Sequence, residues 1–380
     1  MKKKAYKIVT VALFAAILII IPVLTFVFMP SDPRPFSENE NRYLSAFPNV
    51  TFDNFKNEKL MTGIEDWFSD RLFGREQWIK LRNGTERIIG KTEVNGVFTS
   101  DDRMIEMWKG FDREYIKLHM NALNKFSDKY PDKPMYFLLA PTSQEIYSGL
   151  FPPSAPLGSQ TEMLEYCRDS LKTMQTINVI PTLKLHTDDY IYYRTDHHWT
   201  SFGAYLAYYD AAKAMGFKPS ELSEYDIEHA SYSFRGTLYS KTLDDSVTPD
   251  IMDYYHLKGE KPVTLTVNNG STVKKYDSLY FREYLDVKDK YSSFLGPNTP
   301  YMDIETGIDG PSLLIFKDSY AHSLIPFLTA HFGRITILDL RFIQNGYSVY
   351  ADPGKYDSVM FVFNAITFSS SKDIRKLNMS

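Results

Sequence analysis

The sequence predicts an α/β fold in which a parallel β-sheet is covered by helices on both faces, carried behind an N-terminal transmembrane helix. Two observations predict it. From Met135 onward, short apolar runs alternate with amphipathic helical stretches, the rhythm of βαβ units. Near the start, Ile8 to Met29 is an uncharged apolar run of about 22 residues, against the ~20 a helix needs to cross a hydrocarbon core.

The elements follow in chain order. Lys2, Lys3, Lys4 and Lys7 precede the apolar run, and the positive-inside tendency keeps such a cluster cytoplasmic while the remainder crosses. A cleaved signal peptide has a core of ~7–15 residues ending in a small-x-small site; this core is longer, and Phe26, Val27, Phe28 and Met29 offer no such site. Residues 1–29 are therefore expected to be a short tail and retained anchor. Pro30, Pro33, Pro35 and Pro48 mark residues 30–50 as an extended stalk, since each ring fixes φ and discourages helix before it. Residues 51–380 are left as one extracytoplasmic domain.

Within it, Leu60, Ile64, Trp67, Phe68, Leu72, Trp78, Ile79 and Leu81 recur at helical steps, predicting an N-terminal helical cap over 53–89. A further helix is expected from Glu114 to Tyr130. Strands are expected at 135–140, 178–180, 312–316, 334–339 and 357–363, with helices near 161–176, 201–215 and 320–331. The stretch 217–310 breaks the rhythm and reads as a β-rich or irregular insertion, with a hairpin turn at Asn268, Asn269, Gly270.

Composition narrows the partners. A formal net charge of −4 gives no basic footprint for a phosphate backbone, which argues against nucleic acid. Cys167 is the only cysteine, so no disulfide forms within one chain. The 27 tyrosines among 15% aromatics suit a carbohydrate-binding surface and the rim of a large core equally.

Two segments carry chemistry. The first is Thr195, Asp196, His197, His198, Trp199, Thr200, between an apolar strand-like run at Tyr190 to Tyr193 and a helix opened by Thr200 or Ser201. In an extended segment Asp196 and His198 project to one side, where the carboxylate can orient the imidazole. The same residues also suit a metal, with His186 as a further ligand, or a helix cap at Thr200; no metal is expected, because no recognisable ligand spacing completes the set. The second is Leu313, Leu314, Ile315, Phe316, Lys317, Asp318, Ser319, Tyr320, an apolar strand ending in Asp-Ser before the helical stretch Ala321 to Ala330. A serine there is exposed at the sheet edge, before a helix N-terminus that favours an oxyanion, although Asp318 or Ser319 also suits an ordinary cap. His322 is a competing base, expected instead to be solvated or capping.

The segment Thr195 to Thr200 resembles the DHHW signature of bacterial surface proteins, and Glu40, Asn41, Arg42 with Asp66 to Arg71 resemble their N-terminal block. Those proteins are similar in turn to the AlgJ and AlgX alginate O-acetyltransferase proteins of the SGNH (GDSL) hydrolase superfamily. The resemblance implies a flavodoxin-like three-layer sandwich, with Asp196 and His198 as acid and base and Ser319 as nucleophile, in the order Asp, His, Ser. It implies acetyl transfer to a surface or exported polysaccharide without a cofactor, with acetyl groups relayed outward by a multi-spanning membrane protein; an acetylesterase with the same triad and a non-catalytic glycan-binding protein are the alternatives. Lys317 replaces the usual glycine before Asp-Ser, which would crowd the close approach that glycine permits, and His197 is a second imidazole beside the base. Asn364, after the strand Val359 to Phe363, is a possible oxyanion donor or a turn residue. Gly236 is a further possible donor, and Trp199 is expected to stack on a sugar or, more simply, to pack beneath the triad.

Overall fold

A computed structural model describes residues 2–32, 35–37, 39–40, 42–100 and 102–379. The chain forms two compact units, one of Met1–Val94 with Tyr239–Asp245 and one of Asn95–Leu238 with Ser246–Ser380.

The first unit opens with α1 (Lys2–Val27). Among the described residues it is the one helix long and apolar enough to cross a membrane, over the 22 residues Tyr6–Val27 at mean hydropathy 2.9. Three helices follow: α2 (Phe52–Lys56), α3 (Lys59–Arg71) and α4 (Arg75–Ile88). Thr51 caps α2 by accepting from Asn54 N–H, the preference of a short hydroxyl at that position. The stretch expected to be an extended stalk contains a small hairpin pairing Phe36 with Tyr43; Pro33 and Asn41 lie outside the described residues. Arg42 grips Asp70 bidentately at 2.9 and 2.6 Å, and Ser45 donates to the same carboxylate through N–H and hydroxyl, both at 2.8 Å. Burial opposes that charge, yet Arg42 and Ser45 hold Asp70 at about 2.

The second unit is built on an eight-stranded sheet. After α5 (Arg113–Lys129) come β1 (Met135–Ala140), α6 (Gln160–Ser170), β2 (Gln175–Ile177), α7 (Ile180–Leu185) and α8 (Ser201–Ala214). Then follow β3 (Tyr225–Phe234), β4 (Asp250–Leu257), β5 (Thr264–Asn268), β6 (Val273–Tyr276) and β7 (Tyr301–Glu305). The chain closes through β8 (Ser312–Lys317), α9 (Ala321–Leu328), β9 (Arg334–Leu338), β10 (Ser358–Asn364) and α10 (Ala365–Ser370). The sheet order is β6-β5-β7-β9-β8-β10-β1-β2; β9, β8, β10, β1 and β2 run parallel, and β7, β5 and β6 are added antiparallel.

Numbering the parallel strands from β8, through β9 and β10 and then back to β1 and β2, turns the observed order into 2-1-3-4-5, the flavodoxin-like arrangement. The sheet is thus a circular permutation of that fold. Its switch point, where open α/β sheets bind their ligands, lies at the carboxyl ends of β8 and β10. All seven residues of β10 are buried, as a central parallel strand covered on both faces requires.

Two details differ from the sequence reading. The strand expected at 178–180 lies earlier, at Gln175–Ile177, and Val179–Ile180 opens α7, with Pro181 in its first turn, a position where proline's fixed φ and missing N–H suit a helix. The helix expected to reach 176 stops at Ser170, whose carbonyl accepts from Asn124 Nδ2 at 2.9 Å while Lys172 N–H donates to Asn124 Oδ1 at 3.0 Å. The stretch 217–310 is β-rich, as expected: β5, β6 and β7 extend the main sheet, and β3 with β4 form a two-stranded ribbon of their own. The turn between β5 and β6 has Gly270 at φ +92°, and Asn269 Oδ1 accepts from Ser271 and Thr272 N–H.

Candidate active site

At the end of β8 the chain turns sharply into α9. Asp318 N–H donates to Val362 O of β10 at 3.1 Å. Its buried carboxylate accepts from Tyr320 N–H at 2.9 Å and from Asn364 N–H and Nδ2, both at 2.7 Å. Asp318 therefore knots the switch point, and Ser319 stands at the apex of the turn. Among the described residues nothing accepts from Ser319 N–H, which leaves that amide to stabilise an oxyanion.

The Thr195–Thr200 segment reaches Ser319 from a different part of the chain. The expected strand at Tyr190 to Tyr193 contributes a single bridge, Tyr192 to Trp199, outside the main sheet; Tyr193 N–H donates to His198 O at 3.2 Å and Thr200 N–H to Ile191 O at 3.0 Å. Asp250 of β4 fixes this small ribbon, accepting from Arg194 N–H at 2.6 Å, Thr195 N–H at 2.8 Å and Thr195 Oγ1 at 2.5 Å. Asp196 and His198 meet across a bend rather than along an extended strand: Asp196 Oδ1 accepts both His198 N–H, at 3.0 Å, and His198 Nδ1–H, at 2.6 Å. The other oxygen accepts from Thr237 N–H at 2.8 Å and Thr237 Oγ1 at 3.0 Å. With Nδ1 donating to Asp196, His198 Nε2 is left as the acceptor, and Ser319 Oγ lies 2.8 Å from it.

Burial controls the charges. It pulls the His198 imidazole down to about 4; His197 pushes the same way, and the Asp196 carboxylate opposes. His198 is thus a neutral base at neutral pH. Burial also opposes ionisation of Asp196, but His197, His198 and the Thr237 N–H hold it well below the usual carboxylate range.

Residues 162–338, a span holding Asp196, His198 and Ser319, match the model of the DHHW protein family. Over that span the chain is similar to the DHHW proteins. Its fold is similar to the crystal structure of a DHHW family protein from Eubacterium siraeum, at 24% identity and TM-score 0.66 over 75% of this chain and 96% of that one. It is also similar to Bacillus cereus PatB1 with a sulfonyl adduct, at 23% identity and TM-score 0.64 over 74% and 97%. The O-acetyltransferase domain of Pseudomonas putida AlgJ aligns at 13% identity and TM-score 0.45 over 74% and 98%. Among curated proteins none matches the chain.

The remaining candidate residues have definite places of their own. Asn364 is no oxyanion donor: its Nδ2 hydrogens go to Asp318 Oδ2 and to Thr367 Oγ1 at 2.8 Å, and its Oδ1 caps α10. Gly236 N–H donates to Thr195 Oγ1 at 3.2 Å, so it too is committed; a Cβ there would sit 2.2 Å from Asp196 Oδ2. Trp199 is fully buried and donates Nε1–H to Tyr320 O at 3.0 Å, which removes it from any sugar. His197 Nδ1 meets Thr237 Oγ1 at 2.6 Å, with the side chain 28% exposed.

Lys317 does not crowd the Ser319 amide. Its side chain is buried, and Nζ reaches Asn298 Oδ1 at 2.7 Å, His322 Nε2 at 2.5 Å and Asp339 Oδ2 at 3.3 Å. His322 is accordingly buried, not solvated; its Nδ1 donates to Phe294 O at 2.9 Å. Asp196, His197 and His198 do offer ligand atoms within 4.8 Å of one another, but both His198 nitrogens are engaged by Asp196 and Ser319. His186 is outside that group and pairs with Asp189 at 2.8 Å.

Sequence reasoning missed Thr237 and Tyr291. Thr237 had a signal, since it follows a glycine already singled out. Tyr291 had none: its ring stacks on His198 at 3.7 Å and 8°, a contact that no local spacing announces.

Proposed function

We propose that the chain is a membrane-anchored O-acyltransferase that moves acetyl groups onto a cell-surface polysaccharide through a serine acyl-enzyme. The observation that carries this reading is the hydrogen-bonded line from Asp196 through His198 to Ser319 Oγ. In the first half-reaction Ser319 Oγ bonds to the acyl carbonyl carbon while its proton passes to His198 Nε2. The tetrahedral oxyanion is met by Ser319 N–H. The imidazolium, steadied by Asp196, then gives its proton to the leaving group, whose bond to carbon breaks. In the second half a sugar hydroxyl attacks the acyl-serine, its proton goes to Nε2, and Ser319 Oγ recovers a proton as the ester departs; water in place of the sugar gives hydrolysis.

The length and apolarity of α1 and the lysines before it support an anchor with the catalytic unit outside the cytoplasm. A donor must then be delivered there, which calls for a membrane partner able to pass acyl groups across.

The test uses the full chain in detergent with an activated acetyl ester and a glycan acceptor. Acetylated glycan from the wild type, and none from Ser319→Ala, is the expected outcome. Acetate alone would make the protein an esterase, and identical behaviour of the two chains would make it a binding protein.

A further inference from the structure

We propose that Tyr291 is a positioning residue of the acyl-transfer centre, covering one face of the His198 imidazole and pinning the carbonyl of the nucleophile itself. The inference rests on the acyl-enzyme reading above. Tyr291 lies between β6 and β7, in the short 3-10 turn Lys290–Ser293. Its ring is parallel to His198, with centroids 3.7 Å apart and planes at 8°. Its hydroxyl donates to Ser319 O at 3.1 Å and lies 3.1 Å from Ser323 Oγ in α9. One buried side chain thereby touches both the base and the nucleophile's backbone, although it belongs to neither segment.

The two contacts have separate consequences. The ring excludes water from the imidazole face, and burial is the largest influence lowering the basicity of His198. The other groups facing His198 are Asp196 and His197 on its own loop, Ser319 and Tyr320 on the turn, His322 on α9 and Arg341 after β9. Only Asp196 among them favours the imidazolium, so uncovering the ring face admits water and returns His198 toward the ~6.5 of a free imidazole. The hydroxyl acts elsewhere. It holds the Ser319 peptide, whose amide faces the developing oxyanion.

The experiment measures inactivation of the full chain in detergent by phenylmethylsulfonyl fluoride from about pH 5 to pH 8.5, a range that brackets a free imidazole. Ser319 Oγ–S forms, S–F breaks, the serine proton passes through His198 to water, and the adduct is located by mass spectrometry. The rate follows the fraction of neutral His198. Wild type is expected to stay nearly flat down to about pH 5. Tyr291→Leu, or Tyr291→Met should the leucine variant not fold, is expected to show an acid limb moved toward ~6.5, with a loss of up to about tenfold between pH 8 and pH 5.5. Tyr291→Phe keeps the ring and loses the hydroxyl, so it is expected to react several-fold more slowly at every pH with no shift of the limb. Ser319 labelled in the wild type, with Tyr291→Leu or Tyr291→Met as flat as wild type, overturns the role of the ring; Tyr291→Phe at the wild-type rate overturns that of the hydroxyl. No label on Ser319 in the wild type overturns the acyl-enzyme reading, and this inference with it.

Discussion

A methyl group at Gly236 would stand 2.2 Å from Asp196 Oδ2 and 2.3 Å from Asp196 Cβ, distances that no packed carbon tolerates. The glycine is needed for close approach, because its neighbour Thr237 must bring both N–H and Oγ1 to that carboxylate. Gly236→Ala is therefore expected to push Asp196 away from His198, and a displacement of about 1 Å at a catalytic group costs on the order of 10²-fold in rate. Steady-state ester turnover checks it, alongside a circular dichroism spectrum showing the fold intact; turnover within about twofold of wild type would refute the argument. At this scale the sequence singled out Asp196, His198 and Ser319 among several readings of the same residues, and the structure brings the three into one hydrogen-bonded line. The roles of Asn364 and Tyr291 were hidden, because a side-chain amide or a ring takes its meaning from a partner far along the chain.

The turn between β8 and α9 is held by an element-level device, the socket around Lys317. The ammonium has three donors and three acceptors, from the loop before β7, from α9 and from the segment after β9. Asp339 is shared, since Arg341 also grips it, Nε to Oδ1 at 2.9 Å and Nη2 to Oδ2 at 2.6 Å. Burial lowers Lys317 to about 8, Arg341 adds to that, and Asp339 opposes it. The two ends of this pair are therefore unequal. Lys317→Met leaves Asp339 with Arg341 and mainly orphans His322 Nε2, a cost of about 1–2 kcal/mol. Asp339→Asn leaves two cations facing each other in a buried site and is expected to cost about 3–5 kcal/mol. Urea unfolding of both variants at neutral pH measures the difference, and equal losses would mean that Asp339 is not the counter-charge described. The core strands were legible from their apolar runs, as was the Ser319 turn after β8. The run at 178–180 was not, because Val179 and Ile180 are as apolar as a strand and only Pro181 distinguishes a first helical turn. The permuted strand order was beyond local pattern altogether, since it depends on which strands pair and not on what each contains.

Across the whole molecule the same burial that keeps His198 neutral makes an acid-sensitive fold. His119 and His198 are each brought down to about 4 by burial. His322 is pushed well below its ordinary range by burial and by Lys317, and His331 is lowered by burial alone. In the unfolded chain these imidazoles titrate near 6.5. Between about pH 6.5 and pH 4 the unfolded state thus binds protons that the native state refuses, and stability must fall as pH falls through that window. With four such groups the loss is on the order of several kcal/mol. Asp70 and Asp196, whose native values lie below the ordinary carboxylate range, add their own loss only below roughly pH 4. The midpoint of thermal unfolding should therefore decline from about pH 6.5 downward, with Asp250, Asp289 and Asp318, each raised by burial, opposing part of that loss. A midpoint constant between pH 7 and pH 4.5 would mean that these histidines are not neutral in the fold, and with it the neutral base at His198 would be lost.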